Sequence, residues 1–270
     1  MNEHIPVRTV QTDGFSMDYI RFGVGRDPLV VIPGLSVQSV MGSADAVAVA
    51  YGLLAERFTV YLFDRRKELS PSCSLETMAR DTAAAMRALG LRDVCLFGVS
   101  QGGAMAMEIA IHAPELVRKL ALGSTLARVT EDQRQLFSRW AALANAGDAE
   151  GLYLAFGEAL YPEAVFAQAR ELLIVAARTV TENDLARFVL QTEMMRDYDI
   201  TEDLRRISCP VLVIGSRDDR VLGPDASPRI AEKLNGRTVA ELYMYDGYGH
   251  AVYDLAPDYK ERLLRFFTAG

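Results

Sequence analysis

Ser100 lies between two glycines, in Gly98-Val99-Ser100-Gln101-Gly102, and this stretch is the one best suited to nucleophilic chemistry. An apolar, strand-like run, Val94-Cys95-Leu96-Phe97, precedes it, and a helix-like run from Gly103 to Ala110 follows. A serine on a very tight strand-to-helix turn takes a strained backbone conformation. A side chain two residues before or after it would collide with the neighbouring strand and helix, and Gly98 and Gly102 remove that collision. The turn lifts the hydroxyl above a sheet and beside a helix N-terminus, where backbone N–H groups favour developing negative charge. That is a place for a hydroxyl to attack a carbonyl carbon. The same pattern also occurs in ordinary turns, so the reading depends on partners elsewhere in the chain.

A serine nucleophile needs a base, and the chain offers His4, His112 and His250. His4 sits in a polar stretch ahead of the serine. His112 ends the helix after the turn, next to Pro114, and reads as a surface or cap residue. His250 lies in the glycine-rich Asp246-Gly247-Tyr248-Gly249-His250-Ala251, after the strand-like Ala240 to Tyr245, where it can reach a neighbouring strand's loop. The third group comes from Val211-Leu212-Val213-Ile214-Gly215-Ser216-Arg217-Asp218-Asp219, a buried-strand pattern ending in two adjacent carboxylates. One carboxylate can hold the imidazole tautomer and stabilise the imidazolium that forms. Adjacent side chains point in different directions, so usually only one of the pair does so.

The order Ser, Asp, His, together with these motifs, resembles the α/β-hydrolase family, and the resemblance covers nearly all of the chain. Leu29-Val30-Val31-Ile32-Pro33-Gly34-Leu35 resembles the family's strand and oxyanion loop, and Tyr61-Leu62-Phe63-Asp64-Arg65 its next strand. Cys209 to Gly215 followed by Asp218 resembles the acid-bearing strand. Members usually carry the acid three residues after the strand-ending glycine, so the resemblance favours Asp218 over Asp219. It implies Ser100, Asp218 and His250 as catalytic residues and the backbone N–H groups of Leu35 and Gln101 as the oxyanion hole. It implies a two-step acyl transfer without metal or organic cofactor. Hydrolysis of small apolar carboxylic esters is the leading expectation. Enol-lactone, thioester and carbon–carbon bond hydrolysis use the same groups and stay open, as does a non-catalytic ligand receptor on the same fold. Dehalogenation and epoxide hydrolysis in this fold need an aspartate nucleophile, which Ser100 disfavours. Two departures stand out. Pro33 occupies the place of the family's histidine, and Arg65-Arg66-Lys67-Glu68-Leu69-Ser70-Pro71 replaces its glycine-rich turn.

The elements that must position these groups read as α/β, then helices, then α/β. Strand-like segments near Val7–Val10 and Met17–Phe22 precede an alternation from Leu29 to Leu122 that predicts βαβαβαβ: a mostly parallel central sheet flanked by helices. Ser74 caps a helix over Leu75 to Leu89 that ends at Gly90. From Ser124 to Asp199 the strand signals stop. Thr130-x-x-Gln133 reads as a capping box, with further helices after Pro162 and Thr181. The family inserts its helical cap here, so the reading is a hydrolase core over 1–123 and 200–270 with a cap over 124–199. The cap's apolar residues include Trp140, Tyr153, Phe156, Phe166, Phe188, Met194 and Met195. Met194, Met195 and Trp140 are the candidates for the substrate pocket, methionine because it adapts to varied apolar ligands. Alternation resumes at Pro210, then a helix from Ser227-Pro228 to Asn235-Gly236 and a last helix from Pro257 to Thr268.

Composition bounds the rest. The chain has 270 residues, half of them hydrophobic, and suits one large domain with an insertion. The net charge of −7 argues against nucleic acid as a partner. No apolar run is long enough to span a bilayer, and Met1 to Pro6 lacks the marks of a secretion signal, so a cytoplasmic protein without membrane contact is expected. Cys73, Cys95 and Cys209 form neither a disulfide framework nor a metal-binding spacing. The expected partner is a small acyl substrate, and self-association is left open.

Overall fold

In the computed structural model, which describes residues 4–234 and 240–269, eight strands form a single sheet. The strands are β1 (Val7–Thr12), β2 (Phe15–Phe22), β3 (Asp27–Ile32), β4 (Phe58–Arg66), β5 (Val94–Val99), β6 (Val117–Gly123), β7 (Val211–Ser216) and β8 (Ala240–Tyr245). Their order across the sheet is β1-β2-β4-β3-β5-β6-β7-β8. The first two strands pair antiparallel with their neighbours, and all later pairings are parallel.

The parallel part follows from the side chains. Parallel strands are buried on both faces and read as continuous apolar runs. Every residue of β5 and of β7 is buried. The period of two then divides each strand between two cores. Val30, Ile32, Val94 and Leu96 face one core, and Leu29, Val31, Cys95 and Phe97 face the other.

The helices are α1 (Ala44–Ala50), α2 (Gly52–Ala55), α3 (Leu75–Ala88), α4 (Gln101–His112), α5 (Glu131–Asn145), α6 (Ala149–Leu160), α7 (Glu163–Ala177), α8 (Glu182–Glu193), α9 (Ala226–Leu234), α10 (Val252–Leu255) and α11 (Tyr259–Thr268). The first core holds residues of α3, α4 and α9 together with Phe137, Trp140, Leu152, Leu185 and Phe188 from α5, α6 and α8. The second holds residues of α1, α2 and α11. The four helices α5 to α8 stand between β6 and β7, where the sequence predicts helices without strands. Thr130 and Gln133 form the expected capping box, and Thr181 with Asp184 forms a second.

Some boundaries differ from expectation. The helix capped by Ser74 closes at Ala88. The helix expected from Ser227 begins at Ala226, and its expected end at Asn235-Gly236 lies outside the described residues. The last helix begins at Tyr259, because a bend after Pro257 separates it from α10, which follows His250. Cys95 is buried in the core, Cys209 is half-buried, and both are free thiols.

Candidate active site

Three strand ends and the loops after them meet above the sheet. The first is the turn between β5 and α4. Ser100 has φ 52° and ψ −123°, a conformation that a side-chain-bearing residue adopts only under constraint. The constraint is visible. The Ser100 N–H donates to the Gly123 carbonyl at 2.9 Å, and the Ser100 carbonyl accepts from Gly103 N–H at 2.9 Å and from the Thr125 hydroxyl at 2.7 Å. The flanking glycines answer a steric demand. A Cβ at Gly98 would lie 2.4 Å from the Gly102 carbonyl oxygen, and one at Gly102 would lie 2.2 Å from that of Ile32.

The second loop follows β8. His250 is buried there, and its Nε2 lies 3.0 Å from Ser100 Oγ. The third follows β7 and carries the carboxylates. Asp219 Oδ2 lies 2.8 Å from His250 Nδ1, and Asp219 is only 6% exposed. A carboxylate can only accept, so Nδ1 carries the ring proton and Nε2 is left to accept from the Ser100 hydroxyl. Asp219 Oδ1 accepts two backbone N–H bonds, from Val221 at 2.8 Å and Leu222 at 2.9 Å, so the carboxylate is held at both oxygens.

This corrects the assignment of Asp218. Its carboxylate turns the other way and takes the Ser216 hydroxyl at 2.5 Å, Gly247 N–H at 3.0 Å and Gly249 N–H at 2.9 Å. Asp218 therefore ties down the loop that carries His250 without touching the imidazole. Burial pushes its carboxyl up, but the Ser216 hydroxyl and the N–H groups of Gly249 and Gly247 outweigh burial and leave it below the ordinary range. The two neighbours differ because the turn after β7 sends consecutive side chains to opposite sides. Residue spacing alone does not determine which side faces the histidine.

Gly34, Leu35, Ser100, Gln101 and His250 line one small cavity of about 30 Å³. Gly34 passes directly over the serine: a Cβ there would sit 3.1 Å from Ser100 Cβ. Neither the Leu35 nor the Gln101 backbone N–H has a hydrogen-bond partner among the described residues. Both are free for an oxygen bound beside Ser100. Of the expected pocket residues, Trp140 and Met195 line the cavity. Met194 does not, and instead packs half-buried against the core. Sequence reasoning missed Phe137, Leu126, Val221 and Leu222 on the same wall. Val221 and Leu222 follow the carboxylates after Arg220, which was a usable signal. His4 and His112 lie elsewhere, hydrogen-bonded to Asp45 and close to Glu108 respectively. Among the described residues no group of three histidine, cysteine or acidic side chains could hold a metal ion, and no helix is long and apolar enough to cross a membrane.

The comparisons with known proteins concern the fold and the family. The fold is similar to that of MGS-M2, an alpha/beta hydrolase enzyme from a Medee basin deep-sea metagenome library. The TM-score is 0.85 at 20% identity, with 98% of each chain covered. It is also similar to the enol-lactonase from Burkholderia xenovorans LB400, with TM-score 0.82 and 18% identity, covering 97% of this chain and all of that one. At such identities the likeness concerns the fold. In sequence, the chain is 27% identical over 237 residues to the "Putative carbamate hydrolase RutD" of Rhizobium rhizogenes strain K84, covering 84% of this chain and 89% of the relative. Residues 27–257 match the profile of the alpha/beta hydrolase fold. The chain belongs to the alpha/beta hydrolase fold family and is a hydrolase.

Proposed function

We propose that the protein is a serine hydrolase that cleaves small carboxylic esters or carbamates through an acyl-enzyme on Ser100. The observation that carries this reading is the continuous chain from Ser100 Oγ through His250 to Asp219, opening into a cavity next to two unpaired backbone N–H groups. His250 takes the proton as Ser100 Oγ attacks the carbonyl carbon, and Asp219 stabilises the imidazolium. The negative oxygen is received by the N–H groups of Leu35 and Gln101, each worth on the order of 3 kcal/mol in such sites. His250 then protonates the leaving group, and water attacks the acyl-enzyme by the same route.

Cavity size supports a small substrate branch. The cavity of about 30 Å³ beside Ser100 suits a short branch. Leu35, Phe156 and Leu160 separate this space from an outer cleft of about 600 Å³. That cleft is lined by hydroxyls and amides such as Ser36, Gln38, Tyr153 and Thr179, and by no charged side chain, which suits a larger, neutral second branch.

The carbamate arm of the reading is favoured by the sequence relatives, which carry that name, and by the same small cavity, since a carbamoyl nitrogen needs less room than an acyl chain. The test is a comparison of p-nitrophenyl acetate, butyrate, octanoate and carbamate as substrates for the wild-type protein and Ser100→Ala. Turnover of acetate or carbamate that falls steeply by octanoate and vanishes in Ser100→Ala agrees with the proposal. Turnover that persists in Ser100→Ala contradicts the serine mechanism, and labelling of Ser100 without any turnover points to a ligand receptor.

A further inference from the structure

Arg65, at the end of β4, is buried, and the proposed acyl-transfer steps do not use it. Its Nη2 spreads its N–H bonds over three neutral acceptors: the Pro33 carbonyl at 2.8 Å, the Gly34 carbonyl at 3.2 Å and Gln101 Oε1 at 3.2 Å. Its Nε is buried without a partner. Asp64 beside it is engaged otherwise, with Oδ1 accepting the backbone N–H of Arg65 and Oδ2 accepting the Ser39 hydroxyl. A buried guanidinium held by uncharged oxygens alone costs stability. Desolvation accordingly lowers its pKa to about 10. The fold keeps this cost where the loop crosses Ser100.

The geometry of the peptide unit shows what Arg65 does there. No cis peptide occurs among the described residues, so each carbonyl and the N–H of the same peptide point in opposite directions. The Gly34 carbonyl and the Leu35 N–H share one peptide plane. With that carbonyl on Arg65, the Leu35 N–H must face away from Arg65. Leu35 and Gly34 both border the cavity that holds Ser100. The same guanidinium grips the side chain of Gln101, whose Nε2 donates to the Gln191 carbonyl of α8 at 2.9 Å. Both residues expected to supply oxyanion donors are thus tied to one buried cation. Pro33 has no N–H of its own to anchor the loop, so the anchoring acts through carbonyls.

We propose that Arg65 is the positioning residue of the oxyanion site: it fixes the Pro33 and Gly34 carbonyls on one side of the loop and thereby holds the Leu35 N–H over Ser100 before substrate arrives. The inference rests on the serine hydrolase reading above. Arg65→Met keeps most of the volume and removes the donors. With p-nitrophenyl acetate, kcat should fall on the order of 100-fold, the scale of losing one oxyanion donor, while KM stays within about threefold. The inhibition constant of a short alkyl trifluoromethyl ketone, which adds to Ser100 as a tetrahedral oxyanion, should rise by the same factor as kcat/KM falls. Arg65→Lys, able to reach fewer acceptors, should recover part of both losses. A purely structural role would lower the amount of folded enzyme and leave the ketone's inhibition constant unchanged.

The proposal is overturned if Arg65→Met keeps kcat within threefold, or if the ketone binds it as tightly as wild type. If Arg65→Met does not fold, Arg65→Lys is judged by the same two criteria. If the wild-type protein neither turns over the ester nor captures the ketone, the hydrolase reading itself has failed. A crystal structure of the folded variant then tests the anchoring alone: the Gly34 carbonyl should leave its place, and an unchanged loop refutes the assignment.

Discussion

Asp219→Asn removes one charge and barely changes shape, yet the structure forces a large effect. Oδ1 of Asp219 accepts both the Val221 and Leu222 N–H groups. An asparagine at 219 must keep its oxygen there, because turning the NH₂ toward two N–H donors would leave three buried donors facing one another. Its NH₂ then points at His250 Nδ1, 2.8 Å away in the native pair. Nδ1 must become the acceptor, so the ring proton moves to Nε2, which faces Ser100 Oγ at 3.0 Å. A protonated Nε2 cannot take the serine's proton. Triads held in the wrong tautomer lose about 10⁴ in kcat, equivalent to about 5.4 kcal/mol of barrier. Asp218→Asn is different. It loses one of the three hydrogen bonds its carboxylate accepts, two of which tether the His250 loop, a cost of about 1–3 kcal/mol in stability and a modest loss of rate. Steady-state kinetics on p-nitrophenyl acetate, with thermal melts alongside, separate the two. A near-native rate in Asp219→Asn together with a collapse in Asp218→Asn would refute the reasoning.

Three further outcomes are expected. Met195→Ala enlarges the cavity beside Ser100 and should shift the preferred acyl chain from acetyl toward butyryl, at a stability cost of about 2 kcal/mol or more, read from a chain-length series and a urea melt. Gly34→Ala places a methyl 3.1 Å from Ser100 Cβ and should cut kcat at least tenfold with the melting temperature little changed, since the clash falls on the site rather than the core. Glu108, buried on α4, has its pKa raised to about 7 by desolvation and by Glu76 and Asp203; its native value exceeds the unfolded one, so stability is lost as pH rises from about 4.5 toward 7, and Glu108→Gln should raise Tm over wild type at pH 8 but not at pH 4.

How much of the site could be read in advance depends on the range of the forces involved. Ser100 was legible because the turn's steric demand acts within five residues and writes Gly98 and Gly102 beside it. His250 could be singled out by position, on a glycine-rich loop after the strand that follows the acid-bearing one. The choice between Asp218 and Asp219 was not legible, because it is made by backbone N–H groups of Gly247, Gly249, Val221 and Leu222, whose directions depend on the folded turn. Parallel pairing was legible in the strand–helix alternation from Leu29 to Leu122. The role proposed for Arg65 was hidden for a similar reason: two of its three acceptors are backbone carbonyls, which every residue has. The only trace was a cationic stretch where relatives carry a glycine-rich turn. The contact of α8 with that stretch was equally hidden: Arg187 donates to the Arg66 and Lys67 carbonyls at 3.1 and 2.6 Å. Met194 was not separable from Met195 in the sequence: the turn that closes α8 leaves Met194 half-buried at the edge of the core, while Met195 is buried and lines the cavity.

The central claim is that Ser100 attacks carbonyl substrates and that His250, oriented by Asp219, activates it. Peptide-mapping mass spectrometry after a timed exposure to a fluorophosphonate tests this most directly. A single adduct is expected on the peptide bearing Ser100, absent in Ser100→Ala, formed orders of magnitude more slowly in Asp219→Asn and at near-native rate in Asp218→Asn. An adduct on another residue, or ester turnover that survives without any adduct on Ser100, would contradict it.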